Sequence, residues 1–276
     1  MTTRHVLHKT RSVGLMGVTV LLLIGPVGSR ASAADSPPAP TIAPMLDRTG
    51  NFVVKFLEEF SNMKCTEVVS QKKLGKGGKT EYVEESTFDY LVMAQSPGGE
   101  LTLVESRLAG KQPRHTRNLP LLVTNGFSTL LLVFHPTYQT SFEFVPEGTE
   151  VVEGKTYARI HFRHVNGMRS TAALLLRGRE YPLDLEGTAW FDPASGNIAR
   201  IKAGLETGME DVGLRSLQCD VEYGPVTLPA AHESYWLPTL ATVDLETPRQ
   251  HWRNTHRFTA YERFSTSVET RIAENQ

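Results

Sequence analysis

Cys65-Thr-Glu-Val-Val-Ser-Gln-Lys-Lys-Leu74, then Gly75-Lys-Gly-Gly78, then Lys79-Thr-Glu-Tyr-Val-Glu-Glu-Ser-Thr-Phe-Asp-Tyr-Leu-Val-Met93: this run of the chain decides its fold class. The first segment is rich in Thr, Val and Ser and stops at a cluster of glycines. In the second, Phe88, Tyr90 and Val92 alternate with Asp89 and Leu91, the period of two that a strand with one buried face requires. Ser96-Pro-Gly-Gly99 turns the chain again, and Glu100–Leu108 reads as a third strand. Strands joined by short glycine-rich turns predict an antiparallel meander.

Upstream of this meander, Leu46, Thr49, Val53, Phe56, Leu57 and Phe60 recur at helical spacing, with Asp47, Lys55, Glu58 and Glu59 elsewhere on the wheel. An amphipathic helix over 45–62 follows, slightly weakened by Gly50. Downstream, 111–119 is basic and polar (Lys111, Arg114, His115, Arg117) and reads as an exposed loop. Leu130-Leu-Leu-Val-Phe134 suits either a buried strand or a short helix. Ser128 or Thr129 as a cap and Pro136 as a stop favour the helix.

Alternation then resumes, with Tyr138, Thr140, Phe142 and Phe144 on one strand face and Ala158, Ile160 and Phe162 on another. Further strands are expected over 170–177, 181–191, 198–206, 216–223, 234–245 and 253–266. Asp192-Pro-Ala-Ser-Gly-Asn197 forms a hairpin turn between two of them. The total is roughly eleven strands and two or three helices with no βαβ rhythm. A sheet of that size must curl or split to bury its apolar face. The predicted fold is mainly β (α+β): one strongly curved antiparallel sheet, an unclosed β-barrel, with an N-terminal helix and a short helical lid. No internal repeat and no second linker interrupt 45–276, which reads as one domain.

The N-terminus carries a different message. Arg4, Lys9 and Arg11 precede an apolar stretch from Val13 to Ile24, and Ala31-Ser-Ala-Ala34 closes it with small residues. These are the three parts of a secretory signal peptide. The apolar run is shorter than the ~20 residues that a membrane-spanning helix needs. There is no twin arginine and no cysteine after the cleavage site, so twin-arginine export and lipid anchoring lack support. The expectation is a signal peptide over 1–33, a proline-rich tether over 34–44 and a periplasmic or secreted domain after cleavage near Ala33. Residues 1–33 hold four basic side chains and no acid, which leaves 25 basic and 30 acidic side chains in the other 243 residues. That net charge of −5 argues against a nucleic-acid partner, which requires a basic stripe. No second apolar segment is long enough to cross a bilayer, so no transmembrane segment is expected in the mature chain.

Chemistry-bearing patterns are few. Cys65 and Cys219 could bridge, since exported chains fold where disulfides form. They could equally pack as two separate buried thiols. His161 and His164 are three apart on a strand and so face opposite sides. His251 and His256 are flanked by Arg249, Arg253 and Arg257, which would repel a cation. No metal or cofactor site is expected. Gly-x-Ser-x-Gly is absent, the carboxylate pairs Glu58-Glu59 and Glu84-Glu85 suit solvated positions, and Asp192 belongs to a turn. Catalysis is not expected, and no residue is assigned a catalytic role. What remains is an excess of large apolar side chains, whose plain reading is core. The sharper reading is a cavity under a capped, curved sheet, lined by Leu131, Phe134, Phe142, Trp190 and Trp236.

Gly187-Thr-Ala-Trp-Phe-Asp-Pro-Ala-Ser-Gly196-Asn-Ile-Ala-Arg-Ile201 resembles the hairpin of the LolA/LolB-like lipoprotein-sorting proteins, with Gly-x-x-Trp-hydrophobic-Asp, a turn and a basic strand. Ser234-Tyr-Trp-Leu-Pro238 and Tyr261-Glu-Arg-Phe264 are similar to the closing strands of exported relatives of that group. The resemblance implies a half-barrel whose interior holds acyl chains of a lipid or acylated protein, without catalysis or cofactor. It departs from that pattern in its greater length, its basic 111–117 loop and the lack of LolB's lipoprotein cysteine, and these departures leave the cargo open. The alternatives are an envelope sensor or interaction module that docks another envelope protein and, third, an exported hydrolase.

Overall fold

The computed structural model describes residues 42–95, 101–111, 128–176, 178–228 and 233–263. The expected signal peptide, most of the expected tether and the 112–117 part of the basic loop lie outside the described residues.

Helix α1 runs over Ala43–Phe60, with proline in its first turn. Its bounds absorb Ala43 and Pro44 from the predicted tether, because a proline in the first turn gives up no hydrogen bond. Val53, Phe56, Leu57 and Phe60 are buried. Among the described residues twelve strands follow: β1 Met63–Leu74, β2 Thr80–Gln95, β3 Thr102–Lys111, β4 Phe142–Val152, β5 Lys155–His164, β6 Ala173–Leu176, β7 Arg179–Pro182, β8 Leu185–Phe191, β9 Ile198–Leu205, β10 Ser216–Thr227, β11 Ser234–Glu246 and β12 His251–Arg263. Ten of them form one antiparallel sheet in the order β3-β2-β1-β12-β11-β10-β9-β8-β5-β4, while β6 and β7 pair separately. The large sheet is not closed. Its two edge strands, β3 and β4, are consecutive along the chain. The connection between them contains a 3₁₀ helix, Ser128–Phe134, so the segment that links the open edges is also a cap.

The aromatic stripe of α1 lies on the inner face of the sheet. Phe56 meets Tyr223 edge-on at 6.0 Å, and Phe60 lies 6.5 Å from both Tyr90 and Tyr261. Gly50 has a packing reason. A Cβ there would stand 3.0 Å from the Gln139 amide nitrogen and 3.2 Å from Pro136 Cγ. The missing side chain lets the segment after the 3₁₀ helix close on α1. At the other side of the helix, Gly196 has φ of +77°, and a Cβ would come within 3.0 Å of the Arg48 backbone. The 192–197 turn therefore packs directly on α1. Asp192 Oδ1 accepts from the amides of Ala194 (2.9 Å) and Ser195 (3.2 Å), and Arg48 donates to the Pro193 carbonyl at 3.3 Å. A 2.7 Å ion pair with Lys155 holds the Asp192 carboxyl below its usual range.

Two expectations are corrected, and one open alternative is resolved. Tyr138 and Thr140 do not share a strand with Phe142, because a short 3₁₀ turn over Gln139–Ser141 intervenes. The turn begun by His135-Pro136 has not finished by then, and Tyr138 N donates to His135 O at 2.8 Å. The expected strand over 181–191 is two strands, split after Pro182, whose missing N–H cannot continue a ladder. Cys65 and Cys219 are free. Cys65 stands on β1 and Cys219 on β10, with β12 and β11 between them. That is about 14 Å along the sheet at ~4.8 Å per strand, twice the ~7 Å limit for bridging Cα atoms. Burial instead pushes both thiols up to about 12.

Candidate functional site: the capped inner face

The inner face of the sheet is filled from above by the 3₁₀ helix. Leu130 to Phe134 are apolar on every side, so no orientation of this segment gives water a polar face, and it is buried all round. Leu131, Val133 and Phe134 have no exposed surface, and Leu130 and Leu132 have 4% and 3%. Phe134 is the centre of an aromatic group. Its ring lies 5.0 Å from Phe191 and 5.5 Å from both Phe144 and Phe162, and Phe142 stands 6.1 Å from Phe162. The Phe134–Phe191, Phe134–Phe162 and Phe142–Phe162 contacts are edge-to-face, a favoured aromatic geometry. One polar latch fixes the end of the segment: the Gln139 amide donates to the carbonyl of Phe134 (2.8 Å) and to that of Leu46 in α1 (3.0 Å).

Three of the five residues expected to line a pocket, Leu131, Phe134 and Phe142, meet here in one buried cluster. Trp190 does not join them. Its neighbours Ala189 and Phe191 face inward, so strand alternation turns Trp190 to the outer face. There it pairs in register with Arg159 and Arg200, whose guanidinium groups lie 5.6 and 5.4 Å from its ring, and its Nε1 donates to Glu150 at 3.0 Å. Salt-bridged arginines cover this ring. Trp236 is half-buried beside α1, where Nε1 donates to the Ile198 carbonyl at 2.6 Å. With Tyr235, Phe52 and Lys55 it borders a cleft of about 480 Å³, at the rim of the core and outside its aromatic centre.

The outer face carries a broad open depression of about 950 Å³, bordered by Arg159, His161, Trp190, Lys202, Asp220 and Arg253. Its charges are largely spent on one another. Arg200 holds Asp220 through two hydrogen bonds, and Arg253 and His251 both engage Asp244. Mixed, paired charge of this kind suits a solvated surface.

A second polar feature lies on the inner face, and sequence reasoning missed it. Glu67 is fully buried, in phase with Cys65 and Val69. Arg107 reaches it from β3, across β2, with Nε 2.6 Å from Oε2 and Nη2 3.0 Å from Oε1, and its guanidinium lies 5.0 Å over the Tyr90 ring. On the other side His256 places Nδ1 2.8 Å from Glu67 Oε1. Burial pushes the Glu67 carboxyl up, but hydrogen bonds from His256 and Arg107 and the arginine charge outweigh it and hold the carboxyl below its ordinary range. The signal that could have found it was a glutamate at an inward position of a strand, which a buried cation must match. Among the described residues no group of three His, Cys, Asp or Glu side chains could hold a metal ion.

No family model and no curated protein matches the chain. Among solved structures it is similar to a DUF1329 family protein from Desulfovibrio piger, with 11% identity and a TM-score of 0.44 over 82% of this chain and 94% of that one. It is also similar to a LolA superfamily protein from Nitrosomonas europaea, with 10% identity and a TM-score of 0.39 over 83% of this chain and 96% of that one.

Proposed function

We propose that this protein is a non-catalytic carrier for a hydrophobic ligand, a lipid or the acyl chains of an acylated protein, working in the periplasm after removal of its signal peptide. The observation that carries the reading is the plug. The five apolar side chains Leu130–Phe134, on the connection between the two open edges, occupy the inner face where an acyl chain would lie. The energies make exchange feasible. Exposing five such side chains costs about 8–15 kcal/mol, and burying a chain of fifteen methylenes returns about 12 kcal/mol. An acyl chain can therefore replace the plug in a near-balanced exchange, which is what loading and release both require. Leu131, Phe134 and Phe142 are the lining residues in this reading. The sequence resemblance to LolA/LolB-like proteins points the same way.

The test is native mass spectrometry with lipid extraction on protein purified from the periplasm. Co-purifying phospholipid or acylated peptide is expected, lost in a still-folded Phe134→Asp variant and retained in Trp190→Phe, whose ring lies on the outer face. A clean apo mass, with no uptake of added lipid, refutes the carrier. A second reading, docking to another envelope protein, is favoured by exposed apolar side chains at both sheet edges: Val104 and Leu108 on β3, and Val145 and Val151 on β4. Such edges are templates for pairing with a further strand. A partner captured by the apo protein, and lost on charging Leu108 and Val145, would move the assignment there.

A further inference from the structure

His164 is the last residue of β5, opposite Phe142 in register, on the inward side with Ile160 and Phe162. Its side chain is 2% exposed. Nδ1 lies 2.8 Å from Oδ1 of Asp184, whose side chain is 55% exposed at the protein surface. The two nitrogens of an imidazole leave the ring in nearly opposite directions. A ring that turns Nδ1 to a surface carboxylate therefore turns Nε2 inward. Nε2 is buried and makes no hydrogen bond among the described residues. The ring stands edge-on to Phe142, 5.3 Å away at 65°, and so borders the aromatic group around Phe134. A buried polar atom without a partner is uncommon and calls for an explanation. The carboxylate supplies part of one, because a ring whose Nδ1–H faces it presents Nε2 as an acceptor.

We propose that Nε2 of His164 anchors the head of the hydrophobic ligand, accepting a hydrogen bond from a hydroxyl or amide N–H at the end of an acyl chain that lies against Phe142, Phe162 and Phe134. This deepens the carrier reading and rests on it. The position suits the role: the exposed Asp184 marks the mouth, the aromatic rings mark the depth, and His164 stands between them. The ligand class it selects has a donor at the polar end, as in a fatty alcohol, a monoacylglycerol or an N-acyl amide, over an ester or ether of equal length.

The experiment compares n-decanol with its isomer methyl nonyl ether, which has the same atoms but no donor. Each competes with a dansylated fatty-acid probe for the purified protein at pH 8. Wild type is expected to bind the alcohol about five- to tenfold more tightly, the range of one neutral hydrogen bond. His164→Phe is expected to bind both with the affinity of the ether. If wild type binds both ligands alike, or His164→Phe keeps the preference, the anchor is refuted while the carrier reading stands. If neither ligand displaces the probe or binds directly, the carrier reading falls and the anchor with it. Should His164→Phe fail to fold, imidazole ¹⁵N spectra of wild type decide. The Nε2 resonance of His164 must shift with n-decanol and not with the ether, and an unmoved resonance overturns the proposal.

Discussion

Replacing Arg107 with methionine tests the buried ion network most directly. The substitution keeps an unbranched side chain over the Tyr90 ring but removes both nitrogens that bind Glu67, at 2.6 and 3.0 Å. Glu67 has no exposed surface, so water cannot replace them, and only the His256 ring remains at 2.8 Å. Stripping one partner from a buried pair costs about 3–5 kcal/mol, against a total stability of about 5–15 kcal/mol. Arg107→Met should therefore fold but unfold at much lower urea, with an unchanged dependence on denaturant. The pH response adds a sign. In wild type the folded carboxyl sits below its unfolded value of about 4.3. Its stabilisation is thus present above that value and disappears as pH falls through the folded one. In the variant burial dominates and raises the carboxyl, so its deficit relative to wild type should shrink as pH is lowered from 7 towards 4. Pairing the change with Glu67→Gln should restore part of the loss, since the Glu67 charge is then not stranded, while the buried Glu105, 3.5 Å from Arg107 Nη2, still loses that cation. A deficit under about 1 kcal/mol, or one that grows on acidification, refutes the account.

Further outcomes follow from other sites. Gln139→Ala removes two amide hydrogen bonds that tie the plug to α1 and should cost about 1–3 kcal/mol; hydrogen exchange at Leu130–Phe134 should accelerate more than at β10 or β11. Gly196→Ala combines a positive φ with a Cβ 3.0 Å from the α1 backbone, and thermal melting should report about 1–3 kcal/mol of lost stability. Cys65 is buried, with its thiol raised to about 12, and should stay silent to Ellman's reagent in the native protein, whereas Cys219 is only half-buried. Both should react after unfolding without reductant, and a lack of free thiol there would mean a bridge.

Much of this fold was legible because strand alternation and glycine turns are local signals. The 65–108 meander, the helix with its aromatic stripe and the 192–197 hairpin all rest on residues within a few positions of one another. What was not legible depends on partners far away. Trp190 read as a pocket residue because it is large and apolar, but strand phase turns it outward, and only the register with Arg159 and Arg200 reveals what buries it. The Glu67–Arg107–His256 network joins positions 40 and 189 residues apart, which no spacing rule connects. The cysteine question turned on strand order, since both thiols sit on strands and only the sheet places two others between them. Gly50 looked like a weakness in the helix until the segment it admits was in view. His164 was correctly set apart from His161 by alternation, yet its carboxylate partner lies beyond a separate hairpin.

The pairing of β1 with β12 carries a consequence for how the protein is assembled. The first and last of the described strands are neighbours, third and fourth in the sheet order, so the three strands β3-β2-β1 are not joined to the other six until β12 is in place. A chain cut before His251 would hold two fragments, β3-β2-β1 on one side and β11 through to β4 on the other, each with a raw edge where β12 belongs. Contacts at such long sequence separation slow folding, and the unfinished edges are the surfaces on which strands from other chains add. A nascent chain of this protein keeps those edges open until β12 arrives. The closing of β12 against β1 is then the step at which assembly is completed or lost to aggregation.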